Sequence, residues 1–276
     1  MINKIIIMFT LCVLTITLII LLHKNFSRII KKQGHVIIFD GASSAGKSSV
    51  IKELMPLLDN SYRCIAIDDF VTQVFLEQQK LKLPEKEFIA RVNKQSNLMY
   101  DKIRLLVTQG KNVILDTVLS GLEGEKSIRD AFEKLNYIKK VMVLVHCPLP
   151  VLVERMRQRN AKALQENRPQ DERSIGTAIN QFGHIYKSRT KETDISLETI
   201  SRKEVELACV ATKKEFNSNL NRFEQFKEWL LTQLLVKDKE EVTLTTRLKY
   251  DCIIDTSKYT TQESAKKIKN IIINKR

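Results

Sequence analysis

The residues of this chain best suited to do chemistry are Gly41-Ala42-Ser43-Ser44-Ala45-Gly46-Lys47-Ser48, which satisfy the pattern G-x-x-x-x-G-K-[ST] throughout. Each part of that string has a physical task around a phosphate. The two glycines let backbone N–H groups turn inward with no Cβ in the way. A helix starting near Lys47 adds the positive end of its dipole. Lys47 is expected to bridge the β- and γ-phosphates, and the Ser48 hydroxyl to ligate Mg2+. Ser49 completes the set of residues expected to line a bound nucleotide, with ATP as the ligand. Glycine is scarce, 8 residues in 276, so two at the required offset are unlikely to meet by accident.

A second group of residues lies where short apolar runs end. Asp68 and Asp69 close the run CIAIDDF, and Asp116 closes NVILDTV. In an open parallel sheet ligands bind beyond the carboxyl ends of the strands, so these acids are expected on the edge that carries the phosphate loop. A carboxylate there can accept the proton of an attacking hydroxyl or hold Mg2+. Arg155 and Arg159 are four residues apart, on one face of a helical stretch, where guanidinium groups can neutralise a transferring phosphoryl group. Asp40, just before the loop, reads as a turn residue.

The elements that must position these groups alternate. Strand-like runs cover Val36–Asp40, Cys64–Asp68, Asn112–Asp116, Lys140–Cys147 and Tyr250–Asp255, and helical periodicity follows most of them, over Lys47–Leu58, Glu123–Leu135, Pro150–Arg159 and Thr260–Ile273. Residues 70–109 should hold two helices, broken at Leu83-Pro84. The pattern predicts an α/β, P-loop NTPase fold: a five-stranded parallel sheet with helices on both faces. The second and third strands are expected to flank the nucleotide strand. Residues 160–246 interrupt the rhythm and read as a helical insertion, a surface that could recruit a protein partner.

Residues 5–22 are apolar apart from three threonines, about the minimum length for crossing a hydrocarbon core. No small-x-small cleavage site follows, and Lys24, Arg28, Lys31 and Lys32 come next. Residues 1–33 therefore read as a transmembrane anchor with a basic juxtamembrane segment. The positive-inside tendency puts the body, residues 34–276, in the cytoplasm. The net charge of +14 forms no stripe of Lys and Arg interleaved with aromatics, which argues against nucleic acid as the partner. The five cysteines show no metal-ligand spacing; Cys64, Cys147 and Cys252 fall in apolar runs and read as small buried hydrophobes.

Taken together the motifs resemble those of the chloramphenicol phosphotransferase-like P-loop kinases. GASSAGKS is similar to that family's GGSSAGKS, including the double serine Ser43-Ser44. IAIDDF resembles its V-D-S segment, which places the family's general base on Asp68. VILDTVL resembles I-I-D-D-V-F-L and puts Asp116 on the first acid. VERMRQRN resembles the arginine-bearing lid, with Arg155 and Arg159 aligned, and YDCIIDTS resembles Y-D-V-x-V-D-T-T. The resemblance spans residues 36–160 and 248–273. It implies ATP-dependent phosphorylation of a hydroxyl on a small molecule. Nucleotide-sugar kinases of the zeta-toxin type share the layout at greater distance, and a membrane-tethered ATP-driven switch is the reading from another class.

Overall fold

The run VIIFD, Val36–Asp40, forms β1, and all of its residues are buried, as a strand covered on both faces must be. The computed structural model describes residues 14–21, 33–119, 125–168, 178, 181–182 and 250–275. Within them β1 is followed by α1 (Lys47–Leu54), β2 (Tyr62–Ala66), α2 (Asp68–Leu81), α3 (Glu85–Thr108), β3 (Asn112–Asp116), α4 (Glu125–Lys134), β4 (Lys140–His146), α5 (Leu149–Gln165), β5 (Cys252–Asp255) and α6 (Thr261–Lys275). The strands make one five-stranded parallel sheet in the order β2-β3-β1-β4-β5.

Side chains of β1 alternate between two cores. Ile37 and Phe39 join the cluster that contains Val50, Ile51 and Leu54 of α1, Leu152, Val153 and Met156 of α5, and Ala265, Ile268 and Ile272 of α6. Val36 and Ile38 join the cluster built with Met99, Tyr100, Ile103 and Val107 of α3 and with Ala131 of α4. The period of two that sends neighbours to opposite faces thus builds a helical layer on each side. Burying one such Val, Ile or Phe contributes about 1.5–3 kcal/mol, so β1, with four of them, is the anchor from which the phosphate loop springs.

Some boundaries differ from the expectation. α1 stops at Leu54 and passes into a 3₁₀ turn, Met55–Leu57, because Pro56 has no N–H to continue the α-helical ladder. The second strand ends at Ala66, not Asp68: the N–H of Ile67 bonds to the Asp116 carbonyl at 2.9 Å, and the chain then turns into α2. Asp68 and Asp69 therefore open a helix, where negative charge suits the dipole, and do not close a strand. β2 also does not flank β1; β3 and β4 do, and β2 is an edge strand. Cys64 is exposed, against the expectation, whereas Cys147 and Cys252 are buried as expected. α5 runs on to Gln165 through good helix formers, so residues 160–165 belong to it and not to an insertion. Most of the remainder of 160–246 lies outside the described residues.

α6 starts with a reciprocal cap: the Thr260 N–H donates to Glu263 Oε2 at 2.9 Å, and the Glu263 N–H donates to Thr260 Oγ1 at 3.2 Å. Of the apolar run 5–22, residues 14–21 are described; they are helical with exposed side chains, among them Leu14, Leu18 and Ile19. Among the described residues no helix is long and apolar enough to cross a membrane, and the rest of the run lies outside them.

Candidate active site

β1 ends at Asp40 and α1 begins at Lys47, so the phosphate loop occupies the six residues between them, at the carboxyl edge of the sheet. A Cβ on Gly41 would stand 2.2 Å from the Val145 carbonyl oxygen of β4, which leaves room only for glycine. Gly46 has φ of 99°, in the left-handed region, and there it is conformation more than space that demands glycine. Ser44 adopts φ of 63° without being glycine, at a cost of roughly 1–2 kcal/mol. Its hydroxyl is held 2.8 Å from Met156 Sδ of α5. Strain of this kind is characteristic of a ligand-binding loop held by its surroundings.

Lys47 is buried and folded into its own loop. Its Nζ donates to the carbonyls of Gly41 at 2.8 Å and Ala42 at 3.2 Å, and lies 4.0 Å from Asp116 Oδ1. The Ser48 hydroxyl donates to Asp116 Oδ2 at 2.7 Å. The structure thus brings together Lys47, Ser48 and Asp116, three residues that the motif and the end of β3 singled out. Ser48 and Asp116 offer a hydroxyl and a carboxylate, the hard oxygen donors that Mg2+ prefers. Among the described residues no three His, Cys, Asp or Glu side chains gather into a cage. Mg2+ in kinases needs none, because it keeps waters and takes its remaining ligands from the phosphates.

Asp68 and Asp69 are exposed in the first turn of α2, beside the end of β3, since Ala66 pairs with Asp116. The thiol of Cys64 feels two of these acids. It is pushed up to about 11, first by desolvation and then by the charges of Asp116 and Asp69, even though the residue keeps solvent contact. A negative region therefore spans the ends of β2 and β3, next to the positive phosphate loop.

On the other side of the loop, Arg155 of α5 is engaged with protein. Its guanidinium donates to Thr256 Oγ1 at 2.7 Å and to the Thr256 carbonyl at 2.8 Å, and stands 3.4 Å from the Ala45 carbonyl. Thr256 Oγ1 in turn donates to the Ala45 carbonyl at 2.7 Å. Arg155, which the sequence places over a phosphate, here joins the β5–α6 turn to the back of the loop. Arg159 lies one helical turn further along α5 and is partly buried. Cys147, beneath this clamp, has its thiol pushed up to about 11, chiefly by burial.

Three further residues belong to the site and carried no signal of that role in the sequence. Gln181 Oε1 accepts the Ser43 N–H at 2.9 Å, an amide of the phosphate loop. Thr256 supports the loop from behind. Asp40, with no exposed surface, accepts from the Gly41 N–H at 2.8 Å and from the Leu119 N–H at 3.0 Å.

The family model described as chloramphenicol phosphotransferase-like protein matches residues 34–215, two thirds of the chain, and takes in residues 160–215 of the segment read as an insertion. No curated protein sequence matches the chain. Among solved structures, the APS kinase of Mycobacterium tuberculosis in complex with AMPPNP and APS is 15% identical, covering 87% of this chain and 98% of that one at a TM-score of 0.42. The Deinococcus radiodurans tunicamycin resistance protein is 13% identical, covering 87% and 96% at a TM-score of 0.41. A structure from the PezAT chromosomal toxin-antitoxin system of Streptococcus pneumoniae is 15% identical, covering 78% and 95% at 0.38. Likenesses this distant do not bear on the acceptor.

Proposed function

Because the chain belongs to the chloramphenicol phosphotransferase-like family, we propose that it transfers the γ-phosphate of ATP to a hydroxyl group of a small molecule. The observation that carries this reading is the cluster of Lys47, Ser48 and Asp116, with Lys47 Nζ 4.0 Å and the Ser48 hydroxyl 2.7 Å from the Asp116 carboxylate, at the sheet edge that also bears Asp68.

In this reading the loop amides and Lys47 hold the β- and γ-phosphates, Lys47 leaving the Gly41 and Ala42 carbonyls to do so. Ser48 and Asp116 would hold Mg2+, which supplies charge neutralisation on the phosphate oxygens. The acceptor hydroxyl attacks the γ-phosphorus as the bond from phosphorus to the bridging oxygen of ADP breaks. Asp68 takes the hydroxyl proton, since its place in an exposed first turn leaves it open to an incoming molecule. Arg155 keeps the loop in shape through Thr256 and Ala45, and Arg159 stabilises the transferring group. Positioning and electrostatics do most of the work, as phosphoryl transfer requires little covalent chemistry from the protein.

The purified full chain, incubated with γ-labelled ATP, Mg2+ and a metabolite pool, tests the proposal. Label is expected in a small hydroxylated molecule; label released only as phosphate would mean a nucleotide-driven switch. Residues 5–22 serve in this reading as a membrane anchor, with Lys24, Arg28, Lys31 and Lys32 keeping the body in the cytoplasm. Retention in the membrane pellet after alkaline carbonate extraction checks it, and release into the supernatant overturns it.

A further inference from the structure

Asp40 is a carboxylate with no solvent exposure at the end of the central strand. A buried carboxylate is tolerated when hydrogen bonds satisfy its oxygens, so its partners reveal what it is for. Oδ1 accepts the N–H of Gly41 at 2.8 Å and the N–H of Leu119 at 3.0 Å. Oδ2 accepts the hydroxyl of Tyr250 at 2.5 Å. The three donors come from three separate parts of the chain. Gly41 opens the phosphate loop. Leu119 stands three residues beyond Asp116. Tyr250 leads into β5, which ends beside Thr256, the residue that supports Ala45 and Gly46.

We propose that Asp40 is a positioning residue that fixes the phosphate loop relative to Asp116, and that the Tyr250 hydroxyl orients its carboxylate. The inference rests on the reading of this site as a phosphate-transfer centre. Asp40 has no solvent exposure and acts through its neighbours. Asp40 grips the N–H of Gly41, and the carbonyl of that same residue, in the next peptide group, receives Lys47 Nζ at 2.8 Å. Turning Gly41 about its Cα moves the perch of the lysine. The Leu119 contact ties down the segment that follows Asp116, and Lys47 and Asp116 stand 4.0 Å apart. One side chain therefore sets the distance between the cationic and anionic halves of the phosphate site. Tyr250 supplies the third bond and leaves no choice of carboxylate rotamer, since both oxygens are then engaged.

The test measures the affinity of the full chain for a fluorescent ATP analogue with Mg2+, alongside melting temperature, for wild type, Asp40→Asn, Asp40→Ala and Tyr250→Phe. Asparagine keeps an oxygen for the two N–H donors and can turn its amide toward the tyrosine oxygen, so Asp40→Asn should bind within about threefold of wild type. Tyr250→Phe keeps the ring packing and should weaken nucleotide binding about tenfold, the worth of one bond to a charged acceptor. Asp40→Ala should weaken it further. If Asp40→Ala fails to fold, Tyr250→Phe against Asp40→Asn still decides. A folded Tyr250→Phe protein with wild-type affinity overturns the inference, as does Asp40→Asn as weak as Tyr250→Phe. A wild type that binds the analogue but labels no small molecule overturns the proposed reaction and leaves this ranking of variants standing. A wild type that does not bind it overturns both.

Discussion

Two acids at the same edge of the sheet live in opposite surroundings. Asp116 is nearly buried, accepts the Ser48 hydroxyl and faces the Lys47 ammonium, and the loop around it is fastened by Asp40 on one side and by Thr256 and Arg155 on the other. Asp68 is exposed, in the first turn of an edge helix. The half of the site that would handle the nucleotide is thus built in advance, with its charges paired and its backbone held. The half that would receive the acceptor is open. The contrast teaches where selectivity resides: a nucleotide's phosphates are the same for every P-loop kinase, whereas the acceptor side is free to vary.

The most severe way to break this contrast is to empty the built half. Lys47→Ala should lower turnover by about 10³-fold or more and abolish nucleotide binding, read by steady-state kinetics and analogue titration. Asp68→Asn should lower turnover on the order of 10²-fold while nucleotide affinity stays put. Wild-type turnover by that variant would remove Asp68 from the base role and direct attention to Asp69 beside it. Arg155→Ala should weaken nucleotide binding about tenfold and cost about 1–3 kcal/mol of stability, because Thr256 and Ala45 lose a charged donor. Unchanged denaturant midpoints would show that the clamp is ornamental.

The smallest effect is one of pH. Burial raises the Asp255 carboxyl, but hydrogen bonds from the Ser257 side chain and backbone, followed by the charges of His146 and Lys258, outweigh it and hold the group below the usual aspartate range. A depressed folded value means stability that is present above the ordinary aspartate pKa of about 3.9 and is lost as pH falls through the folded value. The melting temperature should therefore drop slightly more below about pH 4 in wild type than in Asp255→Asn. Identical acid profiles would show that the turn gains nothing from this charge.

What could be read from the sequence followed the range of each interaction. The loop, Ser48 and the strand that ends in Asp116 were legible because a local string and a run of β-branched residues specify them. The strand order was not, since nothing in CIAIDDF says that its strand pairs with β3 at the edge of the sheet and lies away from β1. Asp68 was placed on the correct edge but on the wrong element, because two acids after an apolar run suit a strand end and a helix first turn equally. Gln181 meets Ser43 across 138 positions and Tyr250 meets Asp40 across 210, distances over which no periodicity carries information. Arg155 reads from the sequence as a lid residue, and its partner, Thr256, is visible only once β5 lies beside β4.

All five strands point the same way, and that has a consequence for supply. The chain enters β1 at Gly34 and His35, on the edge opposite the phosphate loop. In the proposed reading, an amino-terminal tether would join the sheet at the end of the strands away from the phosphate loop, which would leave the acceptor to reach the site from solution.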